Sequence, residues 1–261
     1  HDSLAGVQLW YSGIHAINME SREVPRGATQ LASNVWASRT VYGYEMDEDD
    51  IKAVINMYVE AAKRAEAAGF DVLEVSGGDT TLPVQFLERR YNKRTDKYGG
   101  SFENRMRFSQ EVYSRIRKTC GEDFVCGVAV SIDPGAEIVQ SIEMLQEVVA
   151  WHDERTLFDY VTIGRGSYWG FTKIIPPAFE QAMKGEEYVG RLKSVCRHAR
   201  VQCEARVKTP ENGERIVAAG MADMVSIVRG QIADPITLKR YFEADENLAD
   251  IGGPAYLAEL A

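Results

Sequence analysis

Short apolar runs alternate along this chain with longer amphipathic stretches. The apolar runs are Gly6–Trp10, Phe70–Val75, Phe124–Val130, Phe158–Ile163, Val201–Glu204 and Met224–Val228. They are rich in Val, Ile and Phe and lack strict alternation, which predicts strands buried on both faces. Helical periodicity covers Asp49–Ala68, Ser101–Thr119, Ile138–His152, Tyr188–Ala199, Pro210–Ala219 and Asp234–Ala244. Thr209-Pro210-Glu211 places a capping residue before a proline at the first helical position, and Asp234-Pro235 does the same. Repeated β-then-α units predict a parallel sheet covered by helices. The six units suit an open doubly wound sheet, or a (β/α)8 barrel that has two more units. No internal repeat or low-complexity segment is visible.

Composition narrows the class. The 261 residues are 45% hydrophobic and 26% charged, as in an ordinary globular protein. The net charge of -9 and the absence of a basic run argue against a general nucleic-acid binder. No apolar segment approaches the ~20 residues that cross a bilayer, so no membrane partner is expected. No signal peptide is visible, and a cytoplasmic location is expected. Cys120, Cys126, Cys196 and Cys203 form no Cys-x-x-Cys pair, which fits neither a zinc site nor a cluster and reads as buried free thiols.

One polar stretch stands out: Asn92-Lys-Arg-Thr-Asp-Lys-Tyr-Gly-Gly-Ser101-Phe-Glu-Asn-Arg105. It lies between a strand-like and a helix-like run and reads as an ordered loop. With Leu9-Trp-Tyr-Ser-Gly-Ile-His-Ala-Ile-Asn-Met-Glu-Ser-Arg22 and Leu82-Pro-Val-Gln-Phe-Leu87, it makes the chain resemble the old yellow enzyme superfamily of flavin mononucleotide (FMN) oxidoreductases. Within it, the resemblance is to the trimethylamine and dimethylamine dehydrogenase branch. It implies a TIM (β/α)8 barrel over 1–245 in which the first strand here corresponds to the third, and a C-terminal extension over 246–261. Two barrel units are then expected ahead of Gly6. The branch also carries a 4Fe-4S cluster on a cysteine-rich loop after the last barrel helix. Here Asn247-Leu-Ala-Asp250 runs straight into Ile251-Gly-Gly-Pro254 with no cysteine between, so a cluster is expected only if such a loop lies outside this sequence.

The resemblance also assigns candidate site residues, all at the C-terminal ends of strands, where such barrels work. Gln8 corresponds to an amide or carboxyl that hydrogen-bonds the flavin ring, and an amide both donates and accepts. Tyr11 sits in the next loop as a substrate contact. His15 is open to two readings, an acid/base group or a packed ring. Ser76 and Asp79 stand where the family presents ring donors beside the flavin. Asp79 is either a proton acceptor from an ammonium substrate or a turn cap. Ala129 stands where the family has an arginine that offsets the charge of reduced flavin. Trp169, with Tyr168, matches an aromatic cage for an alkylammonium ion and also reads as plain packing; Thr172 replaces an expected acid. Arg229 and Gly230 match the second half of an FMN phosphate grip. In the first half, Cys203-Glu204-Ala205-Arg206 replaces glycines, leaving Arg206 to help and Glu204 to oppose a phosphate. Arg94, Asp96 and Arg105 are expected to tie down their loop.

The function so implied is an FMN-dependent oxidoreductase that oxidises a small methylated amine at flavin N5, with a protein electron acceptor and homo- or hetero-oligomeric assembly. Two other readings stay open. One is a degenerate, non-catalytic barrel subunit that stabilises an active partner, suggested by Ser76, Asp79, Ala129 and the lost glycines. The other is a nicotinamide-dependent ene-reductase.

Overall fold

The computed structural model describes residues 3–17, 22–33, 40–78, 80–132, 141–166, 186–204 and 207–244. Its central element is a six-stranded parallel sheet. In chain order the elements start with β1 (Gly6–Leu9), followed by short strands β2 (Arg26–Gly27), β3 (Ala32–Ser33), β4 (Val41–Tyr42) and β5 (Tyr44–Glu45). Then come α1 (Glu48–Ala67), β6 (Val72–Ser76), α2 (Leu82–Leu87), α3 (Phe102–Cys120), β7 (Val125–Ile132) and α4 (Ile142–Asp153). The rest are β8 (Tyr160–Arg165), α5 (Glu186–Lys193), β9 (Arg200–Cys203), α6 (Pro210–Ala218), β10 (Met224–Val225), α7 (Arg229–Ala233) and α8 (Thr237–Ala244). The sheet order is β1-β6-β7-β8-β9-β10, every neighbour parallel. These are successive units of the expected (β/α) barrel, and β1 and β10 are its two outer strands.

Local sequence explains the helices. Asp47 accepts from the backbone N–H groups of Asp49 and Asp50, while the Asp50 side chain accepts from the Asp47 N–H. That reciprocal cap starts α1 and places acids at its positive end. Ser101, Ser141 and Thr209 cap α3, α4 and α6 through their hydroxyls. The buried faces of α1 and α3, including Ile51, Ile55, Phe108, Val112 and Ile116, pack with the strand residues Leu73, Cys126, Val128, Val161, Ile163 and Val201 into one core.

The strands do not bury both faces as their composition suggests. In β6, β7 and β9 buried residues largely alternate with partly exposed ones. Leu73, Val75, Val128, Val130, Val161, Ile163 and Val201 turn toward the helices. The other face carries Gln8, Glu74, Ser76, Gly127, Ala129, Ser131, Thr162, Gln202 and other small or polar residues. In a (β/α) barrel that face is the inner one, and the space it borders is the hollow.

A recurring staple closes the opposite, N-terminal ends of the strands. Asp159 N–H donates to the Cys126 carbonyl, and Cys126 N–H donates back to Asp159 Oδ2, both at 2.7 Å. Asp223 and Val201 make the same exchange at 2.8 Å, and Asp71 and Ala5 at 2.9 and 2.8 Å. The staples join β1 to β6, β7 to β8 and β9 to β10. A hydrophobic-Asp pair therefore repeats as Phe70-Asp71, Phe158-Asp159 and Ala222-Asp223, a structural repeat too short to show as a repeat in the sequence.

The Asn92 loop is scaffold. The Asn92 side chain donates to the Phe86 and Tyr98 carbonyls at 2.6 and 2.7 Å and accepts from Arg94 N–H. The buried Arg94 guanidinium donates to Asp96 and to the carbonyls of Ala28 and Met46, binding the loop to the excursion that carries β2 to β5. Arg105 donates to the Leu87 and Gly100 carbonyls. Donors fixed in this way satisfy loop carbonyls that burial would otherwise leave unpaired.

Candidate functional site

The floor of the hollow is a hydrogen-bonded group centred on Glu74. Gln8 Nε2 donates to Glu74 Oε1 at 2.6 Å, and Thr162 Oγ1 donates to Glu74 Oε2 at 2.5 Å. The Tyr160 hydroxyl also bonds to Glu74; burial first, and then this carboxylate, hold that phenol well above its ordinary range. Strand register makes the grouping: Gln8 pairs with Glu74, Glu74 with Gly127, and Gly127 with Tyr160. The Tyr160 ring lies across Gly127, where a Cβ would stand 2.2 Å from Tyr160 Cζ. Any side chain at Gly127 would expel the ring.

One step nearer the strand tops, Ser76, Ala129 and Thr162 stand side by side in register. Ser76 is buried and Ala129 partly exposed. No cation stands at the centre of this row. Over its far side lies Glu204, whose Oε2 is 3.4 Å from the place of a Cβ on Gly164. Glu204 is reached by solvent but surrounded by the walls of the hollow. That enclosure, and then Glu74, push its carboxyl above the usual carboxylate range.

At the last two strands the chain makes a close approach. A Cβ on Gly230 would lie 2.6 Å from the Lys208 carbonyl oxygen, so only glycine lets the segment after β10 sit against the segment after β9. Arg229 precedes it and is exposed. Here two loops and a cation meet beside the hollow.

Other sequence candidates are placed elsewhere. Tyr11 is half-buried beside Arg26, Tyr44 and Asp50 near the start of α1, and burial raises its phenol. His15 is buried, bonded through Nδ1 to Ser33 Oγ at 2.6 Å and set edge-on to Tyr91. Burial pushes it down to about 4, which supports the packed-ring reading. Asp79, Tyr168, Trp169, Thr172 and Arg206, and the extension over 246–261, lie outside the described residues. None of the four cysteines forms a disulfide; Cys120, Cys126 and Cys203 are buried as expected, whereas Cys196 is partly exposed.

Sequence reasoning missed Glu74, Tyr160 and Thr162, whose grouping depends on strand register. The available signal was a lone acid inside the apolar run Val72-Leu-Glu74-Val75. It also missed Gln85, which is fully buried, donates to Ser12 O at 2.8 Å and accepts from Ile14 N–H at 3.1 Å. Gln85 fixes the loop after β1, where Gly13 has φ +58° and a Cβ would strike its amide.

A separate cavity of about 40 Å³ lies on the helix side of the sheet, lined mainly by Pro83, Val84, Leu87, Val128, Val130 and Phe158. Its polar neighbours, Ser109 and His152, bond to each other at 3.0 Å. It is a packing gap apart from the hollow. No cluster of metal ligands exists among the described residues. No helix among them is long and apolar enough to cross a membrane.

The arrangement suits a flat, polar-edged cofactor with an anionic tail. The Gln8 amide is held by Glu74 at one side of the hollow, and the exposed Arg229 lies next to the close contact of Gly230 with the Lys208 carbonyl. The chain is 33% identical over 244 residues to dimethylamine dehydrogenase of Hyphomicrobium sp. (strain x), covering 90% of this chain and 32% of that protein. It is 33% identical over 204 residues to NADH oxidase of Thermoanaerobacter brockii, covering 78% of this chain and 31% of that one. Histamine dehydrogenase from Rhizobium sp. 4-9 superposes with a TM-score of 0.84 at 31% identity, over 93% of this chain and 35% of the other. The chain thus spans about a third of the length of these relatives. A model of the NADH:flavin oxidoreductase / NADH oxidase family matches residues 1–247, and the chain belongs to that family.

Proposed function

We propose that this chain is the FMN-binding barrel of an oxidoreductase that oxidises a small methylated amine. The observation that carries the amine reading is the charge of the hollow: Glu74 and Glu204 face it, and Ala129 stands at its centre. Opposite charges attract most strongly where water is partly excluded, so this hollow favours an ammonium over an anionic or carbonyl substrate. The similarity to dimethylamine dehydrogenase points the same way.

In this reading Gln8 holds the flavin ring edge, and Arg229 with Gly230 and Arg206 holds the phosphate. When bound, FMN supplies the two-electron acceptor for oxidation of the amine C–H bond. Asp79 takes the ammonium proton first, since only the free amine yields an electron pair. Ser76 borders the reacting space, and Trp169 with Tyr168 supplies ring faces for the cation. Water hydrolyses the resulting iminium, and the electrons pass to a protein carrier. The test of the cofactor assignment is FMN titration of wild type and Arg229→Ala. Loss of one charge-assisted phosphate contact should weaken binding at least tenfold, about 1.4 kcal/mol. Equal affinities would remove Arg229 from the site.

Ala129 favours a second reading, a barrel that keeps the scaffold but has given up the chemistry. A family member that binds no FMN and raises a partner's stability would fit it.

A further inference from the structure

The residue that organises the hollow is Glu74, and nothing about a strand interior requires an acid there. Its neighbours Leu73 and Val75 are buried in the core. Glu74 instead turns into the hollow and gathers three donors: Gln8 Nε2, Thr162 Oγ1 and the Tyr160 hydroxyl. Three donors on one carboxylate are more than its solvation at a half-open site demands, and they fix it rigidly.

The contact to Gln8 has a directional consequence. A carboxylate only accepts, so the amide must present its nitrogen to Glu74. The Gln8 carbonyl is therefore turned away, together with the second N–H. Gln8 lies on β1, beside β6 in the described sheet. Glu74 thus decides which of the two amide atoms meets a ligand.

We propose that Glu74 is a positioning residue for the cofactor. It locks the Gln8 amide in the orientation that contacts the flavin ring, and its charge, with Ala129 beside it in place of a cation, lowers the reduction potential of the bound flavin. This rests on the FMN reading above. The physical reason is charge: two-electron reduction at neutral pH would leave negative charge on a bound flavin ring, and a fixed carboxylate in the same hollow would oppose that change. Glu204, on the same face, adds to the effect. Tyr160 and Thr162 hold the carboxylate in place.

The experiment measures FMN affinity and flavin midpoint potential in the full-length protein as wild type, Glu74→Gln, Gln8→Ala and the double variant. Glu74→Gln keeps the shape and removes the charge. It should shift the oxidised-to-reduced equilibrium about tenfold toward reduced flavin, an upward shift of about 30 mV for a two-electron couple. It should also weaken FMN several-fold, and that loss should vanish when Gln8 is already alanine, because one contact carries both effects. An unchanged potential and affinity in a wild type that binds FMN overturns the positioning role and leaves the FMN reading standing. A wild type that binds no FMN overturns both. If Glu74→Gln fails to fold, Thr162→Val strips one donor from the same carboxylate and must still weaken FMN; identical affinity there overturns the proposal.

Discussion

Asp159 and Cys126 exchange two hydrogen bonds, backbone to backbone in one direction and backbone to carboxylate in the other, both at 2.7 Å. Arg117 holds the same carboxylate at 2.6 Å. The pair closes β7 to β8 at the end of the sheet farthest from the hollow. Asp159→Ala should therefore cost stability and spare ligand binding. Hydrogen bonds to charged groups contribute about 1.5–3 kcal/mol, less where solvent reaches them, so a loss of about 1–2 kcal/mol is expected in urea unfolding. Asp159→Asn keeps an acceptor for Cys126 N–H and should lose less than half as much. Equal losses would mean that the Arg117 ion pair, not the backbone staple, supplies the stability.

Gly13→Ala should be strongly damaging, because Gly13 is buried. The residue has φ +58°, and its Cβ would sit 2.2 Å from Gln85 Oε1. Left-handed strain and the collision together should cost about 2–4 kcal/mol. Shortening the partner, as Gln85→Ala, strands the Ser12 carbonyl and Ile14 N–H and should not rescue the variant. Thermal unfolding of the two single variants and the double variant checks this.

Acid should weaken the fold through two histidines. Burial pushes both His15 and His152 down to about 4, against 6.5 for the free side chain. The unfolded chain thus binds more protons than the native one between those values. Stability from the neutral rings is complete above about pH 6.5 and lost as pH falls toward about 4, by at most ~1.4 kcal/mol per pH unit for each ring. Urea midpoints between pH 7 and 5 should fall, and His152→Gln should flatten the fall. An equally steep fall in that variant would trace the acid sensitivity to other groups.

Ala129→Arg should tighten FMN and raise its potential. The side chain would enter the hollow between Ser76 and Thr162, within reach of Glu74. A guanidinium there offsets charge on reduced flavin, and a shift of about tenfold in the redox equilibrium is a fair scale for one added charge. Potentiometry of the two proteins checks the sign; a lower potential in the arginine variant contradicts this account of the hollow.

Much of the sheet is legible in the sequence, because Val-rich and Ile-rich runs such as Phe158–Ile163 separate cleanly from helices with strong caps such as Thr209-Pro210. The failures have physical causes. Strands β2 to β5 are two residues each and carry no periodicity. Helices α2 and α7 have six and five residues, too few for a pattern, and α8 begins at Thr237 rather than at the expected Asp234. The last strand stops at Val225, not Val228, because Val228 already caps α7. The long shared motifs turn out to be locking elements: Gln85 on the Gly13 loop, and Asn92, Arg94 and Arg105 on their own turns. Those are visible as polar groups in sequence but their partners are 70 or more residues away for Gln85 and 48 to 66 away for Arg94. Glu74 escaped because its hydrogen-bond partners gather only once four strands lie in register.

The central claim is that the hollow holds FMN and accepts electrons from a methylated amine. The direct measurement is the visible absorbance of the purified full-length protein before and after anaerobic addition of dimethylamine. Flavin bands that bleach on addition are the predicted result. A protein that stays colourless after incubation with FMN contradicts the claim and leaves the non-catalytic barrel as the account of this chain.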